Sequence, residues 1–175
     1  LAKVAVLVPV LTVTNLIMIA TLRCFDRLPS LDVTQAIRLW LLLGLDAVAG
    51  LALGLLASAS VTTTAQAALA LPMLCFPAVL FSGAILPVNL MAGAGAALST
   101  VIPSRWAFEA IGHDLGARQI LGHGGSPLGP PLLASYGQAG TESTGTYWLI
   151  LAAFALVFLV GTWVVLVRTT RRAVR

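Results

Sequence analysis

The chain has 175 residues, of which 59% are hydrophobic and only 9% are charged, and its formal net charge is +4. Apolar runs of about 20 residues, long enough to cross roughly 30 Å of hydrocarbon, occur more than once. This composition predicts an all-α integral membrane protein and excludes a soluble helical domain, whose helices would need polar faces. The modest positive charge does not indicate nucleic-acid binding. We expect the chain to be a piece of a longer polypeptide.

Four membrane-spanning helices are predicted from the apolar runs, at about 4–21, 37–58, 64–86 and 148–167. Trp40 lies near the start of the second span, and Tyr147 and Trp148 lie at the start of the last. Aromatic residues of this kind are enriched where a helix meets the membrane–water interface. The spans therefore have the expected interfacial anchors.

Small and polar residues recur every four positions along the second span, at Asp46, Gly50, Gly54 and Ser58. Small residues let helices approach closely, so Gly50 and Gly54 predict a helix-packing face. Asp46 is the only acid deep within a predicted span, and an intramembrane carboxylate indicates a functional role by default. Two other interpretations stay open: a protonated acid bonded to a neighbouring group, or a shorter helix that leaves Asp46 near the surface.

The stretch 71–109 organises the rest of the chain. An apolar helix containing Pro72 and Pro77 reaches a Phe-Ser-Gly step at 81–83 and breaks at Pro87. A segment rich in Ala and Gly, about 90–111, follows without the polar loop of an ordinary helical hairpin, which predicts a re-entrant hairpin. Non-helical turns persist at membrane depth only where protein or a water-filled cavity covers them. The stretch therefore predicts a buried pathway.

An apolar wall is predicted along this stretch, formed by Phe76, Val79, Leu80 and Ile85. Such a wall suits a path for hydrophobic or amphipathic cargo. The same residues are equally compatible with lipid contact or with packing against another helix.

Glu109 lies four residues after Arg105, so both side chains can meet on one helix face. A lone carboxylate at membrane depth is costly, so Glu109 is expected to be paired, protonated or hydrated. We predict that it anchors the returning segment near the outer mouth of the pathway, by pairing with Arg105 or by capping free backbone N–H groups. The alternative is an interfacial acid in water, whose ion pair would contribute little.

Residues from about 112 to 146 are rich in Gly, Pro, Ser and Thr and predict a long outer loop, with a short helix near 115–121. His113, Asp114 and His123 support a metal site only weakly, because neither a third ligand nor its geometry is indicated, so we predict no metal. Cys24 and Cys75 fall at different predicted depths, which argues against a disulfide. The sequence has no nucleophile elbow, catalytic carboxylate pair or phosphate loop, so it predicts no catalytic residues.

Four arginines lie directly after the last predicted span: Arg168, Arg171, Arg172 and Arg175. Positive charge beside a span favours the cytoplasmic side of the membrane. We therefore predict a multi-pass protein of the cell membrane with its C-terminus in the cytoplasm. With four spans, the N-terminal end is then also cytoplasmic, and the 112–146 loop is outside.

The order of these features resembles the C-terminal part of ABC-2-type transporter permeases, the group that includes the white/G-subfamily exporters. The matching residues are Ala49–Gly54, Phe81–Gly83 and Ile102–Ala110, the last reading Ile-Pro-Ser-Arg-Trp-Ala-Phe-Glu-Ala. Among these permeases, the sequence is most similar to actinobacterial proteins that are fused to an ATPase and a forkhead-associated domain. The resemblance covers nearly all of residues 1–175.

The resemblance implies a six-helix domain of which this chain supplies the last four helices. It implies that two such domains pair around a central pathway, here as a homodimer, and that ATP and Mg²⁺ bind a separate or fused nucleotide-binding domain. By position, Phe76 and Val79 would line the pathway, and Ala84 and Ile85 would form an apolar plug after Gly83. Ala84 is smaller than the bulky residue common at that position.

Together these features predict the membrane part of an ATP-driven exporter for a hydrophobic or amphipathic substrate, with no cofactor in this chain. The rival hypothesis is a helical membrane anchor or assembly subunit that transports nothing. A phosphate-loop sequence in the same polypeptide, or encoded beside it, would distinguish the exporter from the anchor.

Overall fold

A computed structural model describes residues 2–26, 32–61, 63–123, 129–136 and 142–173. Within these ranges the regular structure is helical, and no strand is present. The α-helices are α1 (Ala2–Cys24), α2 (Val33–Ser60), α3 (Thr64–Leu80), α4 (Gly93–Thr100), α5 (Pro103–Asp114), α6 (Ala117–His123), α7 (Gly129–Tyr136) and α8 (Thr144–Ala173). A short 3-10 helix, Val88–Leu90, lies between α3 and α4.

Three of these helices contain segments long and apolar enough to cross a membrane: Val6–Cys24, Val33–Ser60 and Thr144–Arg168. These segments confirm the predicted first, second and last spans. Each helix is longer than predicted, because it continues past the apolar run into polar flanks that also favour helix.

The third predicted span differs from the prediction of 64–86. Helix α3 ends at Leu80 and has 17 residues, so it is about 25 Å long and somewhat short of the hydrocarbon core. The chain cannot continue as a helix, because Gly83 has a positive φ of 83°. The predicted end of this span was wrong, and a fourth crossing stays a prediction.

Helices α2 and α8 form the main packing unit and run parallel. Leu42 of α2 belongs to the same buried cluster as Tyr147 and Leu151 of α8. Farther along, a Cβ atom placed on Gly161 of α8 would lie 3.3 Å from the Leu56 side chain of α2. Residues nearer the N-terminus of α2 therefore lie beside residues nearer the N-terminus of α8, and later residues lie beside later residues, so the two helices are parallel.

The predicted re-entrant segment, about 90–111, contains α4 and most of α5, and its re-entrant course through the membrane stays a prediction. Helix α4 ends at Thr100, Ile102 is extended, and α5 begins at Pro103. The residue before a proline disfavours the helical conformation, which explains the break. Helix α5 then packs Ala107 and Ala110 into the cluster formed by α2 and α8.

Two short helices, α6 and α7, lie in the described parts of the predicted outer loop, 112–123, 129–136 and 142–146. The short helix expected near 115–121 is confirmed as α6 (Ala117–His123). Helix α7 was not predicted, because Pro130 and Pro131 favoured a loop interpretation. Proline is compatible with the first turn of a helix, where its missing N–H group has no intrahelical partner.

Candidate functional site

The end of α3 is held by side-chain hydroxyl groups. The last carbonyl groups of a helix lack intrahelical partners and need other donors at membrane depth. Here the Ser82 hydroxyl donates to the carbonyl oxygen of Val79 at 2.8 Å, and the Ser104 hydroxyl of α5 donates to that of Ala78 at 2.9 Å. The serine of the Phe-Ser-Gly step therefore helps to terminate the helix, and α5 is fastened to that same end.

Gly83 turns the chain away from α3. Gly83 itself is buried, and a Cβ atom on it would lie 3.4 Å from the Val88 side chain and 3.7 Å from the Phe108 side chain. The turn exposes the carbonyl oxygen of Ala84, which accepts a hydrogen bond from the Tyr136 hydroxyl at 2.9 Å. Helix α7 is thereby fastened to the segment that was predicted to form the plug.

Arg105 and Glu109 form the predicted ion pair on α5. Arg105 Nε lies 3.0 Å from Glu109 Oε1, and the side chains are only 14% and 12% exposed. Arg105 Nη1 also donates to the Ser99 hydroxyl at 3.0 Å, and Ser99 on α4 is fully buried. The guanidinium group lies 4.9 Å from the centre of the Trp106 ring. These contacts join α4 to α5, and they favour pairing over backbone capping as the Glu109 interaction.

Tyr147 extends this network to α8. Its side chain is fully buried, its hydroxyl interacts with Glu109, and that hydroxyl accepts a hydrogen bond from the Glu142 N–H at 3.3 Å. Its ring centre lies 6.4 Å from that of Trp106. We call the set Ser99, Arg105, Glu109 and Tyr147 the polar clamp. From the sequence, Tyr147 was predicted only to lie at the membrane interface. No signal in the sequence indicated that Ser99 or Tyr147 would join this network.

A cavity of about 480 Å³ lies beside the polar clamp. Gly83, Arg105 and Glu109 line one part of it, and Phe108 and Tyr136 contribute aromatic rings. The two rings pack edge to face, with centres 6.1 Å apart. The structure thus brings Gly83 of the predicted pathway to the predicted Arg105–Glu109 pair, in one cavity of mixed polar and aromatic character.

The other predicted pathway residues lie on the outer surface of α3 and its turn. Phe76 is 73% exposed, and Val79, Ala84 and Ile85 are also exposed. No described element covers these four side chains. They form an apolar face, which a partner domain, cargo or lipid would have to cover.

Asp46 is partly buried on α2, on the same helix face as Leu42 and Ala49. Within the described part of the chain, its carboxylate has no hydrogen bond or ion pair. The structure therefore separates Asp46 from the polar clamp, and its predicted functional role stays a prediction.

Gly50 and Gly54 point away from the core of this chain. Both are exposed, and a Cβ atom on either would meet nothing within 4 Å. The buried face of α2 instead carries Leu42, Ala49 and Ala52. Gly54 lines a cavity between α2 and α3, but no described atom would contact a Cβ atom at either glycine, so close packing on this face would require another chain or segment.

The C-terminal end of α5 and the N-terminal end of α8 meet at a second polar group. His113 Nδ1 lies 3.8 Å from Asp114 Oδ1, and the Thr144 hydroxyl lies 3.3 Å from His113 Nδ1. The His123 side chain lies outside the described residues. Among the described side chains, no group of three His, Cys, Asp or Glu residues is placed to hold a metal ion.

Comparison with known proteins gives a family match for most of the described helices. A sequence model of the family described as ABC-2 type transporter matches residues 1–113, which include α1 to α4 and nearly all of α5. No curated protein and no solved structure matches the chain.

Proposed function

The chain belongs to the ABC-2 type transporter family, and we propose that it forms part of the translocation pathway of an ATP-driven exporter. As a member of this family with several membrane-length helices, it is a multi-pass membrane protein and a permease component of an ABC transporter. The resemblance to the white/G-subfamily and to actinobacterial fusion proteins is part of the proposal.

The observation that carries the proposal is the uncovered apolar face on α3 and its turn. Phe76, Val79 and Ile85 are exposed there, and among the described elements α3 packs only against α2 and α5. Large exposed apolar patches mark interaction surfaces. In this proposal the face lines a pathway shared with a second copy of the domain, and it accepts hydrophobic or amphipathic cargo.

The polar clamp supports this proposal because it fixes the end of the pathway helix. Ser104 binds the end of α3, while Arg105 and Glu109 on the same helix connect to α4 and α8. A movement of α8 would therefore be transmitted to the turn at Gly83. We propose that Glu109 anchors α5 through this clamp.

The energy for transport would come from ATP bound with Mg²⁺ on a nucleotide-binding ATPase domain, fused or separate. ABC-2 permeases generally work with such a partner. ATP would shift the two permease domains between inward-open and outward-open states, because it binds those states with different affinities. This chain would contribute no catalytic residue.

The accessibility of position 76 distinguishes a pathway from a lipid-facing surface. In the complete transporter with Cys24 and Cys75 replaced by alanine, Phe76→Cys should react with a small water-soluble thiol reagent, and a non-hydrolysable ATP analogue should change the rate. The matched control is Leu156→Cys on α8, which is 63% exposed, close to the 73% of Phe76, and is expected to face lipid.

Equal, ATP-independent rates at positions 76 and 156 would contradict the pathway assignment. If, in addition, vesicles that contain the transporter showed no ATP-dependent efflux of any tested amphipathic dye, the two results together would favour a passive anchor.

A further inference from the structure

An apolar groove lies between α1, α2 and α8, away from the polar clamp. Its volume is about 530 Å³, and Thr12, Leu41, Leu45 and Leu149 are among the residues that line it. Leu41 and Leu149 are substantially exposed. The volume falls within the range of ordinary small-molecule sites, about 300–1,000 Å³.

The floor of the groove is open at Gly44. A Cβ atom on this residue would meet nothing within 4 Å, so the space above α2 is free here. Trp40 and Trp148 line the groove toward the N-terminal ends of the two parallel helices, where interfacial aromatic residues are expected. The groove therefore extends from the interface into the apolar depth of one leaflet.

Arg38 places a positive charge near the N-terminal end of α2, on the helix face that carries Leu41 and Leu45 of the groove. Arg38 is exposed and lies one helical turn before Leu41, and among the described residues it has no ion pair. Asp32, the N-cap of α2, lies six residues before Arg38, and its carboxylate accepts a hydrogen bond from the Thr34 hydroxyl instead. Arg38 is thus available to an anionic group from outside the chain.

We propose that this groove binds an anionic phospholipid, with an acyl chain along Leu41, Gly44 and Leu45 and its phosphate at Arg38. The apolar lining suits an acyl chain, and an arginine guanidinium can bind a phosphate group through two parallel hydrogen bonds on either side of the membrane. A helix in the groove would instead place Arg38 against apolar protein, where an unpaired charge is costly.

The bound lipid would hold α1 in place. Among the described elements, α1 packs only against α2, and none of its membrane-length segment is buried. A lipid in the groove contacts α1 at Thr12, α2 at Leu45 and α8 at Leu149, and so joins α1 to the main packing unit.

Retention of lipid by the complete transporter tests the proposal. The purified protein would be stripped with detergent, supplied with phosphatidylglycerol or phosphatidylcholine, and analysed by native mass spectrometry. Wild type should retain phosphatidylglycerol at concentrations that leave Gly44→Leu without it, because the leucine fills the groove without a clash. Ala153→Leu, at an exposed position of α8 outside the groove, is the matched control and should behave as wild type.

A second variant keeps the test independent of how Gly44→Leu folds. Arg38→Gln should reduce the preference for phosphatidylglycerol over phosphatidylcholine roughly fivefold, which corresponds to about 1 kcal/mol. Equal lipid retention by wild type and Gly44→Leu, or an unchanged preference in Arg38→Gln, would overturn the proposal. Neither readout depends on export, so failure here leaves the transport proposal standing.

Discussion

The carboxylate of Glu109 connects two helices through partners of different kinds. Arg105 is four residues away on the same helix, whereas Tyr147 comes from α8. Because the Arg105 and Glu109 side chains are mostly buried, this pair differs from an exposed i,i+4 pair, which would contribute only a few tenths of a kcal/mol. Removing the acid would leave a mostly buried guanidinium group with Ser99 as its remaining hydrogen-bond partner.

We therefore expect Glu109→Ala to destabilise the permease by about 2 kcal/mol, because a charged group loses a buried partner. Thermal unfolding of the complete transporter should show a lower midpoint, and efflux from vesicles should fall while nucleotide binding is retained. Glu109→Gln should be milder, because the amide can still accept from Arg105. The control is Glu142→Gln, an exposed acid beside the same cavity. Wild-type stability and efflux for Glu109→Ala would leave this acid without a mechanistic role.

Gly83 is the residue whose backbone conformation sets the end of the third apolar helix. Its φ of 83° is unfavourable for a residue with a Cβ atom, although the nearest side chains leave ordinary contact distances. Gly83→Ala should therefore destabilise by roughly 1–2 kcal/mol through the backbone alone. Gly83→Asn should cost less, since asparagine tolerates this region better.

Thermal unfolding in detergent measures both variants. Gly93→Ala is a matched control, because a Cβ atom at this helical position meets nothing within 4 Å. A midpoint for Gly83→Ala equal to that of Gly93→Ala would show that the turn does not require glycine.

Helix α2 presents two different faces. One face packs Leu42, Ala49 and Ala52 against α5 and α8, and the other exposes Gly50 and Gly54. A Cβ atom at either glycine would meet no described atom within 4 Å, although a leucine at Gly54 would extend into the cavity between α2 and α3. The dimer fraction, rather than stability alone, therefore reports on a partner outside the described chain.

We expect Gly54→Leu to reduce recovery of the dimer in detergent, because a leucine would prevent close approach of a second helix. Size-exclusion chromatography with light scattering measures the dimer fraction, and Ala153→Leu serves as the control on α8. An unchanged dimer fraction together with unchanged thermal stability would remove the packing role of this face.

The parallel arrangement of α2 and α8 constrains the path of the whole chain. Parallel neighbours require the intervening segment to return over the same distance, and α3 supplies about 25 Å of that return. The turn at 81–83 and the pair α4–α5 then bring the chain to the start of α8. This arrangement favours a fourth crossing, even though α3 alone is somewhat short.

Labelling in intact cells tests the orientation. In a cysteine-free transporter, Gly122→Cys on α6 should react with an impermeant thiol reagent, while Ala173→Cys should react only after permeabilisation. Both follow from the positive-inside preference of the terminal arginines. Gly122 is a suitable site because a side chain there meets no neighbouring atom within 4 Å. The reverse labelling pattern would place the C-terminus outside.

The sequence by itself determined the features that depend on composition and on near neighbours. Apolar runs predicted the three membrane-length helices, because the bilayer sets a minimum length for a spanning segment. The Arg105–Glu109 pair was predictable, because residues four apart on a helix are neighbours whatever surrounds them. A break near the Phe-Ser-Gly step was also predictable, although the predicted helix ended at residue 86, six residues after its end at Leu80 in the structure.

Only the tertiary structure decided the contacts between distant segments. The Tyr136–Ala84 hydrogen bond joins residues 52 positions apart, and Ser104 reaches a carbonyl group 26 positions back. Tyr147 was predicted to be an interfacial residue because of its residue type and its position at the start of a span, but in the structure it is a fully buried part of the polar clamp. A local pattern states which side chains share a helix face, but which face another helix covers depends on how all the helices pack. For that reason the exposed glycines of α2 and the apolar face of α3 were not distinguishable from buried surfaces before the fold was known.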